Sequence, residues 1–329
     1  MESILRVKDL CISFRSPVGV SRVVEHIEFT VGRGESLSIV GESGSGKTSV
    51  LKSILGILPP NAIVSGTIMF KGLNLLEKSK EVNRIRGIEI SYIPQEPMVA
   101  LNPFYTVREH FIDKMLFHGK DDIGLIKYYM QKRKLPDSIE EDIISILSKV
   151  RVPDPKRVVN SYPIQLSGGM LQRVLIGLAI SSNPSLLLAD EPTTALDVVT
   201  QKEILTLLKN LQKNMGLSII YVTHDLGVAR MISERTIVMY AGQLVEFGET
   251  IKVLSEPLHP YTRGLVEAIP KLTGGYIKGM EGELINYFKP PPGCRFHPRC
   301  PRAMEKCRRD KPPMIDVGGG RRVACWLYE

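Results

Sequence analysis

Short apolar runs alternate with amphipathic stretches along most of the chain. Over residues 4–14 apolar and polar positions loosely alternate, the period of a half-buried strand. Residues 15–19 read as a turn, and residues 23–31 as a second strand closed by Gly32-Arg33-Gly34. Ser36–Val40 is a short apolar strand followed at once by a glycine-rich stretch. Residues 48–58 then carry a helical pattern that Pro59 and Pro60 are expected to stop. Further strands are predicted at 88–93, 186–189, 217–222 and 236–240. Helices are predicted at 174–181 and at 201–215, the latter ended by Gly216. Residues 107–150 are richer in charge, with Pro136 as a marked breaker, and read as a mostly helical insertion. Strands alternating with helices predict an α/β chain with a doubly wound, largely parallel sheet.

Beyond about residue 255 the pattern dissolves among prolines, from Pro257 to Pro313. This segment reads as a separate appendage held by something other than a large core. Its distance in sequence from the glycine-rich stretch implies no part in chemistry there.

Composition adds limits. With 329 residues and 43% apolar content there is material for one large domain and a smaller one. The net charge of +8 invites a nucleic-acid or anionic-lipid partner. The basic residues are spread out, however, and crowd only near Lys306, Arg308 and Arg309. Without basic-aromatic alternation they read as a solvated surface, with no nucleic acid bound. No apolar run approaches the roughly 18 residues that cross a bilayer. Met1-Glu2-Ser3-Ile4 lacks the basic and then apolar pattern of a secretory signal. A cytosolic chain is expected, its membrane role coming through partners.

The strongest chemical signal is Gly41-Glu42-Ser43-Gly44-Ser45-Gly46-Lys47-Thr48, a complete G-x-x-x-x-G-K-[ST] between a strand and a helix. Glycines let successive backbone N–H groups face one concavity, and the following helix points its positive end there. Lys47 can reach the β- and γ-phosphates of a nucleotide, and the Thr48 hydroxyl can ligate Mg²⁺. A second signal is Leu186-Leu187-Leu188-Ala189-Asp190-Glu191, an apolar strand ending in two carboxylates. Asp190 can hold Mg²⁺ through water, and Glu191 can polarise the attacking water. Alone, such a strand end is usually a solvated loop; beside an intact phosphate loop the preference reverses.

Between these lies Leu166-Ser167-Gly168-Gly169-Met170, followed by Gln172-Arg173. Here the sequence resembles the ATP-binding-cassette (ABC) family, with Met170 where Gln is common. The resemblance spans roughly residues 4–250. It implies a P-loop core with a parallel sheet flanked by helices, an antiparallel β subdomain and a helical signature subdomain. Ser167, Gly168 and Gly169 would clasp the γ-phosphate of ATP held on a partner subunit. Gln95 looks like the family's lid-loop glutamine, a contact for Mg²⁺ and water. Thr194-Ala195-Leu196-Asp197 looks like the loop crossing the dimer interface, and His224 like the switch histidine that senses γ-phosphate. Phe14 could stack on adenine, though a core phenylalanine explains it equally well. The expected divisions are an ATPase core at 1–97 and 166–255, a helical subdomain at 98–165, and a C-terminal extension at 256–329.

Gln95-Glu96-Pro97-Met98-Val99-Ala100-Leu101-Asn102-Pro103, His259-Pro260-Tyr261-Thr262-Arg263 and the proline- and cysteine-rich tail resemble the oligopeptide/dipeptide importer branch. That resemblance implies a translocating ATPase on the cytoplasmic face of the membrane. It would pair with a second, usually different, ABC ATPase beneath two transmembrane permease subunits, fed by an extracytoplasmic binding protein. Importers of oligosaccharides or nickel in the same branch stay open, as does a soluble, non-transport ABC ATPase. Of five cysteines, Cys11 stands alone, and the rest follow as Cys294-x5-Cys300-x6-Cys307-x17-Cys325. Four thiolates can complete a [4Fe–4S] cluster or a tetrahedral Zn²⁺ site, with His297 as an alternative ligand. The branch resemblance favours the cluster.

Overall fold

The computed structural model describes residues 2–77, 79–117, 130, 138–269, 280, 282 and 285–329. The chain divides into two compact units, Met1–Leu76 with Tyr221–Glu329, and Glu77–Ile220.

In the first unit β1 (Ser3–Ser16) pairs antiparallel with β2 (Gly19–Gly32) and with β4 (Ala62–Phe70), and β5 (Leu73–Asn74) follows β4. One face of this sheet buries Leu5, Val7, Leu10, Ile12, Val24, Ile27 and Phe29, the period of two being interrupted by irregularities at Val7–Leu10 and Val24–Ile27. A second sheet begins with β3 (Ser36–Val40), parallel to β9 (Arg235–Tyr240). β3 is buried along its whole length, as suits a parallel strand covered on both faces. β9 turns back antiparallel into β10 (Gln243–Glu249), which pairs in turn with β12 (Arg322–Val323), so this part of the sheet is mixed.

The second unit holds β6 (Ile90–Ile93), parallel to β7 (Leu186–Asp190), and helices at Val107–Phe117, Ile139–Lys149, Gly168–Ile180 and Val198–Met215. The insertion is helical where described; residues 118–129 and 131–137, with Pro136, lie outside the described residues. β8 (Ser218–Thr223) carries the chain from this unit into the other. Among the described residues no helix is long and apolar enough to cross a membrane.

Three expectations need correction. The helix after the phosphate loop is Lys47–Leu55, and Gly56, left-handed at φ 64°, ends it before the prolines are reached. The helix expected at 174–181 starts at Gly168, because the Ser167 hydroxyl accepts the Met170 N–H and caps it there. Nor is the C-terminal segment a separate appendage. Tyr261 and Phe296 are buried with Val40, Leu226, Val238 and Tyr240 in one core cluster. Glu246, fully buried on β10, accepts the Leu258 and His259 N–H groups and pairs with Arg321 at 3.0 Å. Among the described residues the regular elements of this proline-rich segment are short, such as Pro260–Glu267 and Arg322–Val323, and its side chains join a neighbouring core.

Candidate functional site

The predicted site residues fall in both units. Phe14, the loop Gly41 to Thr48, His224 and the tail cysteines belong to the first; Gln95, the signature, Asp190, Glu191 and the loop through Asp197 belong to the second. Each set has its own local geometry.

The phosphate loop leaves β3 and enters the helix Lys47–Leu55. Its glycines are required by space and dihedral. A Cβ at Gly41 would stand 2.2 Å from the Met239 carbonyl oxygen, and Gly46 holds φ at +95°. Gly46 also offers no side-chain cap to the helix start. Lys47 is buried at 4% exposure, and its ammonium donates to the carbonyls of Gly41 and Glu42, both at 2.9 Å. Ser43 and Gly44 are exposed, and Thr48 is half-buried. Phe14 is half-buried on β1, opposite Ala62 and Ser21. His224 is exposed after β8, where Asp225 caps the next helix by accepting the Gly227 and Val228 N–H groups.

In the second unit Asp190 is buried at the end of β7 and accepts the Tyr92 hydroxyl at 3.1 Å. Burial, and then the charge of Asp190, push the Tyr92 phenol upward, so it stays a donor. Glu191 adopts φ +44° and accepts Gln95 Nε2 at 3.5 Å and Thr194 Oγ1 at 3.1 Å. The structure therefore brings Gln95 and Glu191 together. It also joins the signature to the interface loop. A Cβ on Gly168 would lie 3.6 Å from Leu196 Cδ2, and one on Gly169 only 2.7 Å from Thr200 Cγ2. Asp197 caps Val198–Met215, and the N–H groups of Thr200 and Val199 hold its carboxyl below the usual range. Ser167 and Gly168 are exposed, Gly169 and Met170 partly so.

Cys294, Cys300, Cys307 and Cys325 line one small cavity with His259, Phe296, His297 and Trp326. The Cys294 N–H donates to the Cys307 carbonyl at 2.9 Å, and the Met304 N–H reaches the Cys307 sulfur at 3.5 Å. Burial pushes the Cys294 thiol up to about 11 and also raises Cys300 and Cys325. His297 Nδ1 donates to the Cys294 carbonyl at 2.9 Å. No three of these sulfurs lie mutually within 4.8 Å: among the described residues, only Asp9, Cys11 and His26 form such a set of ligand atoms.

Some neighbours were not anticipated from sequence. Arg299, Tyr261 and Tyr287, all from the C-terminal segment, contact the phosphate loop at Glu42 and Gly44. The expectation that this segment stands apart from the loop therefore fails. No spacing rule links positions more than two hundred residues apart.

A phosphate loop between a parallel strand and a helix, in an α/β chain whose strand β7 ends in Asp190 with Glu191 next, defines a P-loop ATPase. The description "ABC transporter" matches residues 24–194, and "Oligopeptide/dipeptide transporter, C-terminal region" matches residues 245–307. The dipeptide transport ATP-binding protein DppD of Bacillus subtilis is 40% identical, the alignment covering 100% of this chain and 96% of that one. The oligopeptide transport ATP-binding protein OppD of Salmonella typhimurium is 39% identical over 98% of this chain and 93% of its own. The dimeric ATP-binding cassette MJ0796, solved with ADP and Pi, superposes with a TM-score of 0.62 at 27% identity, covering 75% of this chain and 98% of that one. The chain belongs to the ABC transporter family. It has the family's P-loop fold of mixed sheets and helices, and it is an ABC-type ATPase.

Proposed function

We propose that the chain is the ATP-hydrolysing subunit of an importer of oligopeptides or dipeptides, docked on the cytoplasmic face of the membrane. The carrying observation is similarity to the dipeptide and oligopeptide transport ATP-binding proteins over essentially the whole chain, C-terminal region included.

In this reading the loop Gly41 to Thr48 binds the phosphates, and Phe14 stacks on adenine. Thr48, Gln95 and Asp190 supply hard oxygen donors, the set that suits Mg²⁺. The ion, when bound, neutralises phosphate charge. Glu191, held by Gln95 and Thr194, orients the attacking water, and His224 senses the γ-phosphate. Leu166 to Met170 serve ATP on a second ABC ATPase, with Ala195, Leu196 and Asp197 at the junction. Exposed Tyr162, Ile164, Val198 and Val199, flanking the signature and this loop in sequence, support a protein partner there. Met98, Val99, Phe104 and Tyr105, just after Gln95, are likewise exposed and suit docking of permease subunits. The extracytoplasmic binding protein acts through those subunits.

The four tail cysteines are assigned one [4Fe–4S] cluster as a structural cross-link. The four line one cavity, and thiolates are the donors such clusters use.

The test is reconstitution with membrane subunits and binding protein. Peptide should stimulate ATP hydrolysis, and Glu191→Gln should retain ATP binding while hydrolysis falls by orders of magnitude. Stimulation by an oligosaccharide or nickel instead would move the substrate assignment, and near-normal turnover of the variant would remove Glu191 from its role.

A further inference from the structure

The phosphate loop is held from outside by three side chains of the C-terminal segment. Arg299 makes a two-pronged pair with Glu42, Nη1 to Oε2 at 2.8 Å and Nη2 to Oε1 at 3.0 Å. Its side chain is 7% exposed, and its guanidinium lies 5.7 Å from the centroid of the Tyr240 ring. Nη2 also donates to the Met280 carbonyl at 3.4 Å. The hydroxyl of Tyr261, fully buried, accepts the Glu42 N–H at 2.9 Å. The Tyr287 hydroxyl donates to the Gly44 carbonyl at 2.5 Å. Glu42 is therefore fixed through both backbone and side chain, and its own carbonyl is one of the two that hold the Lys47 ammonium.

A glycine-rich loop is the part of a protein that loses most conformational entropy when ordered. A loop ordered before its ligand arrives spares binding that loss. A bidentate guanidinium–carboxylate pair with the guanidinium buried and the carboxylate half-buried is well suited to the task, since its geometry is fixed and water screens it only in part.

We propose that the C-terminal segment braces the phosphate loop for nucleotide, with Arg299 as the positioning residue acting through Glu42 and with Tyr261 and Tyr287 as its supports. The inference rests on the reading of this loop as the ATP site. Arg299 immediately precedes Cys300 in the chain, so order in the cysteine cavity is one residue from order in the loop. The extension thus sets affinity for ATP, in addition to any docking it performs.

The test uses the full-length chain, a fluorescent ATP analogue and amide exchange read over residues 42–48. Arg299→Gln should weaken analogue binding about ten-fold, the scale of one charge-assisted pair, and speed exchange in the loop. Trp326 fluorescence should show the tail still folded. Arg299→Lys should recover part of the loss, since a point charge replaces the fork. Adding Glu42→Gln to Arg299→Gln should cost nothing further, because the pair is already broken. Should Arg299→Gln fail to fold, Glu42→Gln alone carries the test, as it leaves every tail residue in place. Wild-type affinity and unchanged loop exchange in the folded variants would overturn the brace. Lys47→Ala separates the two readings: if it binds the analogue like wild type, the loop is not the ATP site and the brace falls with it. If it loses binding while Arg299→Gln and Glu42→Gln do not, only the brace falls.

Discussion

His259 makes stability of the first unit depend on pH through one group. It caps the helix Pro260–Glu267, and its Nδ1 accepts the Tyr261 N–H at 3.1 Å. That fixes the proton of the neutral ring on Nε2. The side chain is 1% exposed, and its ring centroid lies 5.6 Å from that of Phe296. Burial pushes the imidazole down to about 3, against an ordinary value near 6.5. The unfolded chain therefore binds a proton that the folded chain refuses. The stabilisation is fully present above about pH 6.5 and is lost progressively as pH falls toward 3. At pH 5 the unfolded histidine is protonated about thirty-fold over its neutral form, so the loss is about 2 kcal/mol. The perturbation is His259→Asn, which keeps an oxygen acceptor for the cap and cannot titrate. The assay is urea unfolding followed by Trp326, the single tryptophan, which lies in the same unit. Lost ring packing gives an offset independent of pH. The wild-type-minus-variant difference should instead shrink by about 2 kcal/mol between pH 7.5 and 5. A difference that stays flat over this range would show that His259 is not held neutral, and the cap geometry would have to be reread.

Other expectations concern the second unit and the tail. Ser167→Arg, mixed with a wild-type partner ATPase, should silence the site on the partner's phosphate loop and spare the one at Lys47; the reverse pattern would sink the assignment. Gly169→Ala should cost about 1 kcal/mol and slow hydrolysis, since its Cβ would meet Thr200 Cγ2 at 2.7 Å. Thr200→Ser removes that methyl and should restore both, and lack of rescue would place the cause elsewhere. Anaerobically purified protein should be brown with about four irons per chain, and Cys307→Ser should lose iron and shift Trp326 emission. Colourless protein with one zinc would replace the cluster, and an ordered tail without metal would reject both.

What the sequence made legible is what is local. The phosphate loop, the acidic strand end and the signature are each a handful of consecutive residues whose chemistry needs neighbours in the chain. β7 was readable because Leu186–Ala189 is an unbroken apolar run, and β3 because Leu37, Ile39 and Val40 lead straight into the glycine-rich stretch. β4 was missed because Ser65-Gly66-Thr67 at its centre is exposed and looks like a turn, though Ser65 and Thr67 pair with Cys11 and Lys8. The ion pair between Glu42 and Arg299 had no local signal at all.

The tail shows why the remainder was hidden. Between Pro290 and Pro313 the longest helix is Glu305–Arg309, and the expectation that something other than a large core holds the segment followed from such proline-broken sequence. Such reasoning treats a segment as if it had to supply its own core. Phe296 instead packs its ring against Tyr240 at 5.0 Å and Tyr261 at 5.4 Å, using a core built on β9. Arg295 donates to the Ala241 carbonyl and pairs with Glu25 at 2.7 Å, tying the tail to β2. Once Phe296 is seated there, Arg299 lies less than one helical turn further along the chain, and Glu42 is within its reach. The apolar anchor and the charged contact on the phosphate loop are thus consequences of one docking event. A metal at the cysteines would stabilise a segment already fixed at its root, so its removal should loosen the cavity around Cys307 and Cys325 before it frees Arg299.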